Sequence, residues 1–214
     1  MTNLPKRRRN RLSDYDYSKE GLYFVTICSK DRKDIFAKYN KNTVGEGLAP
    51  SRNLPVRYKN HKIYNKGQPQ GLSLKSPVQI KLTKIGQIID RNWRDIKNRY
   101  NNIDIDEFII MSNHIHGIVI INKWDGALSR ADARPAPTIS DIVCSFKSKS
   151  CVEYLKYIKQ NDLKISGKIW QRSFYDHIIR NERSLQDIRE YINNNPLNWD
   201  TDKNNINIGN KICP

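Results

Sequence analysis

The chain has 214 residues, of which 38 are Lys or Arg and 22 are Asp or Glu, for a formal charge of +16. That length suits one core with insertions rather than two full domains, and the charge favours a polyanionic partner, either nucleic acid or an acidic membrane surface. No apolar run reaches the roughly 18–20 residues of a spanning helix, MTNLPKRRRNR lacks the apolar stretch of a signal peptide, and Cys28, Cys144, Cys151 and Cys213 show no C-x-x-C spacing, so a zinc knuckle or disulfide framework is not signalled.

In chain order, residues 1–20 form a basic N-terminal arm carrying Arg7, Arg8, Arg9 and Arg11. GLYFVTICS (21–29), rich in aromatic and β-branched residues, is the first predicted strand. The Asn, Gly, Pro and Lys content of 38–75 predicts an insertion loop outside the core. VQIKL (78–82) alternates as a strand, and Leu82, Ile85, Ile88, Ile89, Trp93 and Ile96 then recur at helical steps to about residue 98, with Thr83 as cap.

IDIDEFIIM (103–111) alternates as a strand and Ser112-Asn113 is turn chemistry leading straight into HIHGIVII (114–121), which predicts an antiparallel hairpin. After a second polar insert at 122–137, Thr138 and Asp141 open a helix through Ile142, Val143, Phe146, Tyr154, Leu155 and Ile158. KIWQRSFYDHII (168–179) reads as another strand or extended segment, and a last helix runs from about Glu182 to Asn194 on Leu185, Ile188 and Ile192, with Pro196 as its stop. Residues 200–214 read as a polar tail, leaving 21–199 as a single domain. The order strand, helix, strand, strand, helix, strand, helix suits an α+β fold, a ferredoxin-like antiparallel sheet with helices on one face.

Alternation along a strand projects His114 and His116 from the same side, close enough to share one metal ion. Tyr191 and Asn195 lie four apart on the last helix and therefore stack on one face. Two imidazoles, an amide oxygen and a phenol in a basic chain describe a phosphodiester transesterification site. A metal would neutralise phosphate charge while the phenol attacks phosphorus. For the polyanion, the arginine arm and Lys147 and Lys149 are candidate phosphate contacts, and Trp170, Tyr175 and Tyr23 are candidate base-stacking surfaces.

These residues resemble a known family. The H-I-H of MSNHIHGIVII resembles the HUH motif, and WQRSFYDHIIRNERSLQDIREYINNNPLNW resembles the closing segment of single-tyrosine HUH transposases, in particular the REP-associated tyrosine transposases. RRRNRLSDYDYSKEGLYFVTIC, LTKIGQIIDRNW and ARPAPTISDIVCSFKS resemble the same group.

The resemblance implies an HUH-type ferredoxin-like fold, Tyr191 as nucleophile, and His114, His116 and Asn195 as ligands of Mg²⁺ or Mn²⁺. Insertion-sequence relatives carry Gln where Asn195 stands, and MSN replaces the MPN expected before the first histidine. The implied activity is cleavage and strand transfer of single-stranded, hairpin-bearing DNA through a 5′-phosphotyrosine, with repetitive extragenic palindromes as the expected partner. A cytoplasmic, nucleoid-associated protein with no membrane role follows, and monomer and homodimer both stay open. The competing readings are a non-catalytic ferredoxin-like nucleic-acid binder and a metal-dependent hydrolase in which water attacks.

Overall fold

A computed structural model describes residues 15–40, 79–123 and 136–205. Arg7, Arg8, Arg9 and Arg11, Cys213 and most of both inserts lie outside the described residues. The central sheet is built from β1 (Gly21–Cys28), β4 (Ile103–Ile110), β5 (His114–Ile121) and β6 (Tyr175–Ile179), in the order β4-β5-β1-β6, with every neighbouring pair antiparallel. Taken as first to fourth strand of the repeat, the order is second, third, first, fourth. This is the ferredoxin-like arrangement that the element order predicts.

The connections follow. Between β1 and β4 run a small ribbon, β2 (Ala37–Asn40) with β3 (Gln79–Leu82), then α1 (Lys84–Arg94) and a single turn, α2 (Ile96–Arg99). Between β5 and β6 runs α3 (Ile139–Gln160), and α4 (Glu182–Asn194) closes the series. The Thr83 hydroxyl accepts from the Gly86 amide at α1, and Thr138 with Asp141 makes a reciprocal capping box at α3, so both predicted helix starts are observed. The helix expected to run to about 98 is interrupted at Asp95, which caps α1 and precedes α2.

The pleat sorts the strands into two cores. One face carries Tyr23, Val25 and Ile27 of β1 with Ile115, Val119 and Ile121 of β5, packed against Ile85, Ile89 and Trp93 of α1 and Ile142 and Phe146 of α3. The opposite face carries Phe24 and Ile118, covered by Leu185 and Ile192 of α4 and by Trp199. Helices on one face therefore describes α1 and α3, whereas α4 packs on the other. The physical reason is that the face holding His114 and His116 is also apolar at Ile118 and Phe24 and needs its own cover. Arg189 Nε and Nη2 donate to Asp106 Oδ2 at 2.8 and 2.6 Å, fastening α4 to edge strand β4 at its bulge.

Other expectations are corrected. Residues 38–40 belong to β2, so the first insert begins after them. Leu155, placed on the buried stripe of α3, is 51% exposed. Within 168–179 only Tyr175–Ile179 is strand, while Trp170 makes an isolated bridge to Ser29 and packs against the core with its Nε1 donating to Ser150 Oγ. Residues 200–205 are no free tail, because Asp202 and Asn204 are buried and the Asn113 side chain donates to the Asn204 carbonyl at 2.9 Å. Cys28, Cys144 and Cys151 are free thiols.

Gly117, immediately after the histidine pair, lies under the Trp93 ring, and a Cβ there would collide with it and crowd Phe108. This close approach is why the strand carries glycine between the β-branched same-face neighbours Ile115 and Val119. Gly117→Ala is expected to cost about 1–3 kcal/mol through overpacking, read as a lower urea midpoint. An unchanged midpoint would show that the indole moves aside freely.

Candidate active site

The β1–β5 register pairs Cys28 with His114, Thr26 with His116 and Phe24 with Ile118. His114 and His116 therefore share the face covered by α4, as strand alternation predicts, with ring centroids 4.4 Å apart. Each ring is held at Nδ1. Asn113 Nδ2 donates to the carbonyls of Arg32 and Asn204, which fixes the amide so that its Oδ1 faces His114 Nδ1 at 2.8 Å. An amide oxygen only accepts, so Nδ1 carries the hydrogen and Nε2 of His114 presents a lone pair. That Nε2 is buried with no partner among the described residues. His116 Nδ1 lies 2.9 Å from Thr26 Oγ1, leaving its Nε2 also facing inward.

From α4, Tyr191 Oη reaches to 3.2 Å of His116 Nε2, and its ring packs edge-on against Phe24 and His116. One turn later, Asn195 is 1% exposed; its Nδ2 donates to Asp202 Oδ2 at 2.9 Å, and its Oδ1 is buried without a partner among the described residues. The four residues singled out in the sequence thus meet within one chain. Asp202 joins them, with one carboxylate oxygen and one nitrogen from each of His114 and His116 all within 4.8 Å of one another. Imidazole nitrogens and carboxylate and amide oxygens, two of them buried without such partners, form a donor set that fits a divalent cation.

Burial pushes His114 down to about 3, aided by the Arg32 charge, and burial with the neighbouring His114 holds His116 well below its ordinary value. Both rings are consequently neutral at physiological pH, the form that ligates metal. Because each folded value lies below the unfolded value near 6.5, the unfolded chain takes up protons first as pH falls. Stability from the neutral rings is complete above about 6.5 and is lost as pH falls towards 3, with a slope approaching ~1.4 kcal/mol per pH unit for each ring. Urea midpoints of metal-free protein are expected to fall between pH 7 and 5, and less steeply in His114→Gln; parallel pH profiles would contradict buried neutral His114.

Tyr191 is 40% exposed, and its phenol is pushed up by burial and by the Asp202 carboxylate, with a hydrogen bond from Asn195 acting the other way. It opens onto a groove of about 930 Å³ lined by Arg32, Gln171, Tyr175, His177 and Lys203 as well as the site residues. Of the three aromatics considered for base stacking, Tyr175 lines this groove and is 48% exposed, while Tyr23 is fully buried and Trp170 is partly buried against the core.

Lys147 does not offer its ammonium to the groove. Nζ donates to the carbonyls of Gln171 at 2.9 Å and Ser173 at 3.1 Å, bracing the segment that forms the groove wall. Lys149 lies 3.8 Å from Asp95 Oδ2, away from the histidines. The sequence reading missed Asp202, Thr26 and Asn113. Thr26 becomes identifiable only with the β1–β5 register, and Asp202 sits beyond the last periodic element.

Comparison with known proteins adds the family. The model of the family described as "Transposase IS200 like" matches residues 79–195, from β3 to the site asparagine. An uncharacterized protein of Haemophilus influenzae is 30% identical over 203 residues, covering 92% of each chain. Among solved structures, a REP-associated tyrosine transposase bound to a REP hairpin is 17% identical, with a TM-score of 0.47 over 88% of this chain and 74% of that one. A candidate transposase from Deinococcus radiodurans R1 is 16% identical, with a TM-score of 0.38 over 86% and 95%. With the family model spanning more than half of the sequence and ending on Asn195, the chain belongs to the IS200-like transposase family.

Proposed function

We propose that this protein cuts and rejoins single-stranded, hairpin-bearing DNA through a 5′-phosphotyrosine on Tyr191, as a REP-associated member of its family. The observation that carries the reading is the 3.2 Å approach of Tyr191 Oη to His116 Nε2, beside the partnerless His114 Nε2 and Asn195 Oδ1. The narrower grouping is supported by the N-terminal and closing-helix motifs, and repetitive extragenic palindromes are the proposed partner.

His114, His116 and Asn195 would hold Mg²⁺ or Mn²⁺, which would polarise a phosphate oxygen, neutralise developing charge and favour the phenolate. The chain's own groups position the rest. Thr26 and Asn113 fix the imidazoles, and Arg189 on Asp106 fixes the helix that carries the phenol. Arg32 and Lys203 place positive charge along the groove where a strand would pass.

The Tyr191 oxygen bonds to phosphorus as the bond from phosphorus to the 3′ oxygen breaks, and that oxygen takes up a proton to leave as a 3′ hydroxyl. The phosphotyrosine conserves the bond energy, so attack by a 3′ hydroxyl on it restores a continuous strand and frees the phenol. No nucleotide triphosphate is consumed.

The test is incubation with Mn²⁺ and a hairpin-bearing single strand labelled at either end. The 3′-side fragment should migrate with the protein, and the 5′-side fragment should be free and extendable by a polymerase. Binding without cleavage would support a non-catalytic binder, and two free fragments with no adduct would support hydrolysis by water.

A further inference from the structure

Seven residues beyond the site asparagine, and outside the span of the family match, Asp202 enters the same pocket from the segment after α4. It is 8% exposed. Its Oδ1 accepts from the Asn204 amide at 2.6 Å and its Oδ2 from Asn195 Nδ2 at 2.9 Å, and among the described residues no lysine or arginine pairs with it. Beside those two neutral donors, one of its oxygens and one nitrogen from each of His114 and His116 lie within 4.8 Å of one another. A buried carboxylate held by two neutral amide donors and set beside two neutral imidazoles is a place where a divalent cation would supply the opposing charge.

The segment bearing Asp202 is anchored at several points. Trp199 stacks on Tyr39 of β2 with centroids 5.4 Å apart and lies 5.9 Å from the His114 ring. Arg32 Nη1 donates to the Lys203 carbonyl at 3.2 Å, and Asn113, the residue that orients His114, donates to the Asn204 carbonyl. The strap that presents the carboxylate is thus tied to the same side chain that sets the first histidine.

We propose that Asp202 is a direct ligand of the divalent cation, delivered by the 199–205 strap, and that its hard oxygen inclines the pocket toward Mn²⁺ or Mg²⁺ over Zn²⁺. The inference rests on the cation site assigned above. It also answers a mismatch in that site, since two imidazoles alone favour zinc, whereas carboxylate suits magnesium and manganese. In the ion-free protein Asp202 is held by the Asn195 and Asn204 hydrogen bonds, and in the loaded protein its oxygen would also bond the cation.

The experiment uses the full chain with Mn²⁺ and Zn²⁺ as probes, measuring affinity by calorimetry and Mn²⁺ electron spin resonance, with urea unfolding in chelator. Asp202→Asn keeps the shape and one of the two oxygens, so one of the hydrogen bonds from Asn195 and Asn204 loses its acceptor. The variant should bind Mn²⁺ more weakly by more than the roughly 10- to 100-fold that losing an outer-shell partner costs, and Zn²⁺ with a smaller loss, while the metal-free urea midpoint shows that it folds. Mn²⁺ affinity within roughly 100-fold of the unmodified protein would overturn the proposal, and so would equal losses for both ions, the result for a carboxylate that only orients Asn195. His114→Ala separates the two levels. If the unmodified chain binds Mn²⁺ no better than that variant, the cation site itself fails and Asp202 with it.

Discussion

Tyr191→Phe should abolish the covalent protein–DNA adduct and lower strand cleavage by on the order of 10⁴ or more, while hairpin binding stays within a few-fold of the unmodified protein. The substitution removes one oxygen. The ring contacts with Phe24 and His116 and the burial of neighbouring Ile192 do not depend on that hydroxyl, so α4 keeps its seat. The phenolic oxygen lost is the one 3.2 Å from His116 Nε2. Gel assays of cleavage and adduct with filter binding of the same oligonucleotide separate the two effects. Cleavage that survives the substitution would move the chemistry to water.

His114→Ala and His116→Ala should each lower Mn²⁺ affinity and cost about 10²–10⁴ in cleavage rate, in line with several kcal/mol of charge stabilisation. Chelation of the unmodified protein should reproduce the loss. The two variants should differ in one respect. His116 touches Thr26 and Tyr191, so its removal also frees the phenol, whereas His114 touches Asn113 and its removal loosens the 199–205 strap through Asn204. Trp199 fluorescence, from an indole 5.9 Å from His114, should therefore respond more to the first variant than to the second.

The strongest periodic signals were legible without coordinates. HIHGIVII is β5, and the last helix, expected from about Glu182 to Asn194, is α4 over those residues, because an apolar run after a turn and an amphipathic stripe stopped by a proline each leave one arrangement. The Tyr191–Asn195 spacing read correctly as one face, and the pair meets the histidines in space.

What escaped reading lacked a local signal. β2 lies in a lysine- and asparagine-bearing stretch whose partner, β3, follows only after a long insert, so its pairing is a tertiary fact. Asp202 follows a short 3-10 turn in a polar segment with no period to place it. Lys147 reads as a solvated or phosphate-binding cation until the carbonyls of Gln171 and Ser173 are brought to it. Even the placement of α4 on the opposite face from α1 and α3 depends on which side of the sheet remained uncovered.

The central claim is that the phenol of α4 attacks a phosphorus bound beside His114 and His116. Its most direct test is to trap the protein on a hairpin-bearing single strand with Mn²⁺, digest with protease and nuclease, and locate the nucleotide by mass spectrometry. A nucleotide linked by its 5′ phosphate to Tyr191 is expected; the same link on another residue, or cleaved DNA with no linked peptide, would contradict it.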